Sequence, residues 1–159
     1  LYQTDLCGWV GNMGYKKESC WFANVYTADS TQTLRAVGFY ATGPESDYEI
    51  YVAADFKNEM SLVLPKKIQK GHLERKGFYT IDLIKEISIA EGERFAVMVK
   101  INTPGSDYPV AMEYRADDQT ANVNLEDGCG YVSVDGYRWS RIEEEYGGNI
   151  CLKAYTDNR

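Results

Sequence analysis

Glu18-Ser19-Cys20-Trp21-Phe22 contains a Ser-Cys-Trp triplet, the core of the signature around a cysteine-protease nucleophile. Such a nucleophile needs a histidine to activate its thiol, an oxyanion donor, and an Asn or Asp to orient the histidine. The chain carries one histidine, His72, in a basic, loop-like stretch. Lys17-Glu18 stands where the signature has Cys-Gly, and the preceding "GNMGYKK" (11–17) lacks the glutamine expected there. The run "CWFANVYTA" (20–28) is aromatic and β-branched with period two, whereas a nucleophile of this type heads a long helix. Cys20 is therefore expected to be structural.

Other catalytic constellations are missing as well. There is no Gly-x-Ser-x-Gly elbow, no phosphate-cradling glycine loop and no His-Glu-x-x-His pair. The 24 acidic residues could supply a carboxylate pair for glycoside chemistry, but no spacing selects one. An enzyme is not expected. A net charge of −7 argues against nucleic acid, whose phosphates need clustered lysine and arginine. The densest basic stretch, Lys66 to Lys76, is diluted by Gln, Gly, His and Glu and reads as a solvated edge. No apolar run approaches the ~18 residues of a membrane span, so membrane insertion is not expected. The chain opens on "LYQTDLCGW" with no export signal, which fits a cytosolic protein or a domain excised from a longer exported chain. Cys7, Cys20, Cys129 and Cys151 suit Cys7–Cys20 and Cys129–Cys151 staples, or equally four reduced thiols.

These residues are positioned by strands. Phe95, Val97, Val99 and Ile101 share one face of "ERFAVMVKI" (93–101), and Tyr79, Ile81 and Leu83 share one face of 79–84. Tyr48, Ile50 and Val52 alternate in 48–52, as do Ile150, Leu152 and Ala154 in 149–155. Segments 22–28 and 33–42 add two more strands, and only 57–64 could pass for a short helix. Gly43-Pro44, Pro104-Gly105, Asp127-Gly128, Asp135-Gly136 and Gly147-Gly148 punctuate the runs. Nine or ten short strands without crossover helices predict one all-β domain over 1–159, an antiparallel β-sandwich of jelly-roll or Greek-key type. "TGPESDYEIYV" (42–52) and "TPGSDYPVAMEY" (103–114) repeat Thr, a Gly/Pro pair and Ser-Asp-Tyr, which is read as convergent turn chemistry placing Asp47 and Asp107 at comparable loop ends.

With these stretches laid out, the chain resembles a known module. "CGWVGNMGY" (7–15), the run from Phe22 to Val52, "GFYTIDL" (77–83), 92–114 and "NICLKAYTDNR" (149–159) resemble the lectin-like domain of bacterial and archaeal surface proteins, where it accompanies a papain-like cysteine peptidase domain. The resemblance covers essentially the whole chain. It implies a jelly-roll β-sandwich like that of carbohydrate-binding modules, an exported parent and a secreted, cell-wall-associated location. It also implies a non-catalytic role: binding envelope glycan, or alternatively docking and orienting the peptidase without sugar.

Sugar-binding sandwiches stack pyranose rings on exposed aromatic faces flanked by amides and carboxylates. "CGWVGNMGY" matches best, through Trp9, Asn12 and Tyr15, against the alternative that Trp9 fills the core under a capping loop. "SVDGYRW" (133–139) is second: Asp135-Gly136 signals a type I′ hairpin, with Trp139 packed on its partner strand or, if exposed, forming a platform with Tyr131 or Tyr137. Phe22 and Trp21 must face opposite ways, so one of them lies outward or beneath a loop, and Tyr108 is a loop-tip aromatic. Calcium is the expected metal, held by loop carboxylates: Asp29 and Asp157 first, with Asp117, Asp118 and Asp127 as further candidates.

Overall fold

Alternation of apolar side chains builds this protein's strands, and their register decides which polar groups meet. The structure, a computed structural model, describes residues 1–5, 8–63, 67–114 and 130–157. Its strands are β1 (Gly11–Met13), β2 (Ser19–Thr27), β3 (Gln32–Ala41), β4 (Ser46–Ala53), β5 (Lys67–Leu73), β6 (Gly77–Ile89), β7 (Arg94–Asn102), β8 (Val110–Tyr114), β9 (Gly130–Ser133), β10 (Ser140–Arg141), β11 (Gly148–Ile150) and β12 (Leu152–Asp157). They form one six-stranded sheet, β10-β9-β2-β7-β4-β5, and two three-stranded sheets, β12-β3-β6 and β1-β8-β11, all antiparallel. The arrangement is the β-sandwich expected.

Phe95, Val97, Val99 and Ile101 all turn inward from β7 and are fully buried. Phe22, Ile50 and Tyr48 from the six-stranded sheet meet Phe39, Val37, Val110, Met112, Ile150 and Leu152 from the other two in a single core. Phe39 stands edge-on to Phe22 at 6.4 Å and to Tyr48 at 5.5 Å. Burial of this kind stabilises by about 25 cal/mol per Å² of apolar surface, which is why the alternating segments were legible as strands.

Several local expectations change. The run 149–155 is two strands, broken at Cys151 where the chain passes from one three-stranded sheet into the other. Asn24 Nδ2 donates to the carbonyls of Ile150 and Leu152, at 3.3 and 3.1 Å, and the Tyr26 hydroxyl donates to Leu152 O at 2.7 Å. These buried carbonyls therefore find partners without a continuous ladder. The segment 57–64 contributes one 3-10 turn, Glu59–Leu62, capped by Asn58. A four-residue helix, α1 (Ile142–Glu145), was not anticipated. Within the stretch read as a solvated edge, Lys67–Leu73 form strand β5, and His72 lies in that strand instead of a loop. Asp135-Gly136 sits in a six-residue connection between β9 and β10, not a two-residue hairpin. There the Asp135 carboxylate accepts the N–H groups of Tyr137 and Arg138, at 2.8 and 3.0 Å, closing a wider turn.

The outer face of the six-stranded sheet carries a second apolar cluster. Ala23, Val25, Tyr51, Ala96, Met98 and Tyr131 lie beneath Phe56 and Leu62 from the 54–63 segment and Trp139 from the 134–139 loop. At the sandwich margin, Gln69 of β5 joins β6: its amide donates to Asp82 O at 3.1 Å and accepts the Ile84 N–H at 3.0 Å.

Candidate functional site

The loops cover only half of that outer face. Across β2, β7, β4 and β5 the register sets Ser19, Asn102, Asp47 and His72 side by side, and Trp21, Lys100, Glu49 and Lys70 on the next rung. Because side chains alternate along a strand, both rungs point to the same, outward side. The third rung, with Ala23, Met98 and Tyr51, is apolar and covered. All residues of the two uncovered rungs except Trp21 line a groove of about 600 Å³, together with Tyr48, Lys67 and Gly71. That size lies within the range of small-ligand sites.

Inside the groove the polar groups are ordered by one another. Ser19 Oγ donates to Asn102 Oδ1 at 2.7 Å. Glu49 pairs with Lys67 on one side and with Lys100, 3.8 Å away, on the other. The Lys100 ammonium also lies 5.5 Å from the centre of the Trp21 ring. Trp21 itself lies outside the groove lining, packed on the covered cluster, tilted against Tyr51 at 5.0 Å and edge-on to Trp139 at 6.4 Å. His72 is clamped between two carboxylates, with Nδ1 2.6 Å from Asp47 and Nε2 2.8 Å from Glu45. Those two hydrogen bonds raise its pKa above the ordinary value, because only the imidazolium donates from both nitrogens. Glu45 reaches it from a left-handed backbone, φ 57°.

The structure gathers three of the five sequence-predicted ligand residues at a different place. The Trp9 indole N–H donates to Asn12 Oδ1 at 2.8 Å, and Asn12 Nδ2 donates to the Tyr108 carbonyl at 3.1 Å. Trp9 is half-buried against Tyr40, which in turn meets Phe78 edge-on at 5.0 Å. The glycines of this segment permit close approach: a Cβ on Gly14 would come within 2.8 Å of Asp107 O. Trp9 and Asn12 thus fasten the N-terminal segment to the 103–109 loop. Tyr15 is not with them. It packs on the core, and burial first, then its hydrogen bond to Tyr146, raises its pKa. Trp139, also named as a ligand contact, is 8% exposed, its indole N–H donating to Gly136 O and its ring standing edge-on to Trp21, so it is packed in the outer cluster.

Asp29 and Asp157, named first for calcium, are each engaged with other side chains. Arg35 pairs with Asp157 at 2.9 Å as well as with Glu86. Asp29 accepts from the Tyr2 hydroxyl at 3.0 Å and from the Gln32 amide at 2.7 Å. Among the described residues no group of three or more His, Cys, Asp or Glu side chains is placed to hold a metal. Asp117, Asp118 and Asp127 lie outside the described residues, as do Cys7 and Cys129.

Cys20 and Cys151 are free and buried, which excludes both proposed staples. Cys20 lies in β2, with Sγ 3.6 Å from the carbonyls of Trp21 and Ser133, and burial pushes its thiol pKa up to about 12. A thiol so disposed is the opposite of an activated nucleophile.

The family model described as "Lectin like domain" matches residues 1–156. No curated protein matches the chain. The structure superimposes with a TM-score of 0.68, at 19% identity, on the crystal structure of the cysteine protease and lectin-like domains of Cwp84, a surface layer associated protein of Clostridium difficile. That match covers 89% of this chain and 33% of the other. A second structure, the clostridial cysteine protease Cwp84 after propeptide cleavage, gives a TM-score of 0.71 at 20% identity, covering 99% of this chain and 40% of that one. This chain therefore spans well under half the length of either. Among the described residues no helix is long and apolar enough to cross a membrane. The chain belongs to the lectin-like domain family.

Proposed function

We propose, on the premise that the chain is a lectin-like domain, that it binds cell-envelope glycan non-catalytically and so holds a papain-like peptidase at the cell surface. The observation that carries the reading is the uncovered half of the six-stranded sheet. Loops bury the apolar rungs, while a row of amide, hydroxyl, carboxylate and ammonium groups is left as an open groove. Sugars are recognised by that mixture, their hydroxyls bridging fixed donors and acceptors. The setting draws support from both solved neighbours, whose chains carry a cysteine protease domain, and from the surface-layer association of one.

A second reading is that the domain docks or orients the peptidase without sugar. The aromatic run Trp9, Tyr40 and Phe78 favours it, because Phe78 is 40% exposed on the outer side of β6. Calorimetric titration with solubilised wall polysaccharide separates the two. Saturable binding lost in Asn102→Ala and kept in Trp9→Ala assigns the groove. Loss in Trp9→Ala alone moves the sugar site to the loop end. Absence of binding to every envelope fraction removes the glycan reading and leaves docking.

A further inference from the structure

The groove's charge is out of keeping with the rest of the molecule. The chain is acidic, at −7, yet the groove lining holds Lys67, Lys70 and Lys100 against Asp47 and Glu49. Asp47 is engaged with His72, which leaves three ammonium groups around one carboxylate.

Their arrangement is fixed by the fold. Glu49, 25% exposed, draws Lys67 from β5 and Lys100 from β7 towards itself from opposite sides. The Trp21 ring holds Lys100 from a third direction. Lys70 is the register partner of Glu49, is exposed, and makes no ion pair among the described residues. Each ammonium has three N–H donors, so Lys67 and Lys100 can keep Glu49 while offering further donors to a ligand. The heads of Lys67 and Lys100 are thus ordered before anything binds, which lowers the entropy cost of receiving an anion.

We propose that the groove selects an acidic saccharide, whose carboxylate or phosphate is received by Lys70, Lys100 and Lys67 while its hydroxyls meet Asn102 and Ser19. This rests on the glycan reading above and specifies its ligand class. The acidic remainder of the surface repels a polyanion, so attraction is confined to this groove and specificity follows from the contrast.

The test uses the whole chain and three probes of similar length: an oligogalacturonate (carboxylate), a glycerol-phosphate polymer (phosphate) and a neutral cello-oligosaccharide. At least one acidic probe is expected to bind roughly tenfold more tightly than the neutral one. That preference shrinks between about 50 and about 500 mM salt, as screening predicts. Lys70→Gln, at an exposed position, weakens the acidic probe by roughly three- to tenfold while leaving the melting temperature in place. Comparing the two acidic probes identifies the anion. Equal or tighter neutral binding that Asn102→Ala abolishes overturns the acidic preference and leaves the glycan reading standing. Acidic binding indifferent to Lys70→Gln and Lys100→Gln overturns the site. Failure of all three probes and of wall polysaccharide overturns both readings.

Discussion

Ser46 Oγ and Thr103 Oγ1 lie 2.8 Å apart in a fully buried contact that ties the turn before β4 to the turn after β7. Ser46 Oγ also donates to Gly43 O at 2.9 Å within its own turn, and Thr42 Oγ1 donates to Pro109 O at 2.9 Å, so two hydrogen bonds link the segments. Removing one hydroxyl strands its partner in the interior. Ser46→Ala and Thr103→Val are each expected to cost about 1–3 kcal/mol in urea unfolding, and the double variant less than the sum. Additive losses would show that the two hydroxyls act separately.

The His72 clamp makes stability depend on pH. Its folded pKa is raised, so its contribution is complete below the unfolded value of about 6.5 and is lost as pH climbs through the folded value. The wild-type protein should therefore lose stability relative to His72→Gln across that interval, with the Asp47 bond the larger cause. Parallel pH profiles for the two proteins would remove the clamp from the account.

Buried thiols resist alkylation. Cys20, pushed up to about 12, and Cys151, raised further by burial beside Asp5, carry almost no thiolate at neutral pH. Iodoacetamide applied to the native protein should leave both unmodified in a peptide map, and label both after denaturation. Rapid native labelling of Cys20, or peptide turnover blocked by it, would restore the nucleophile reading.

Gly136 closes the cover over Trp21. Its φ of +81° and the 2.9 Å between an added Cβ and the indole leave no room for a side chain. Gly136→Ala should destabilise by about 1–3 kcal/mol and red-shift the tryptophan emission as Trp21 and Trp139 gain water. An unchanged spectrum would mean that the loop shifts without uncovering the rings.

Strands that are half core and half surface could be read directly from the residues. Burial selects every second side chain, and Phe95 to Ile101 record that selection without ambiguity. Strand β5 escaped because its outward positions are lysines and a histidine, while inward Gly71 yields its space to the Tyr48 hydroxyl. At the loop end, Trp9 and Asn12 are near neighbours in sequence, so a glycine-rich aromatic segment announced them. The groove had no such signal. Ser19, Asp47, His72 and Asn102 come from four strands, and only the pairing register sets them on one rung. The fate of Trp139 was likewise decided by distant Trp21, not by its own turn. The similar turns at 42–47 and 103–108 were read as coincidence, yet they touch.

Along the margin between β5 and β6, one glutamine does the work that a ladder of amides does elsewhere. A load pulling the layers apart is met there by two hydrogen bonds from Gln69. The backbone of Asp82 and Ile84, once released, is a ready template for a neighbouring molecule's strand.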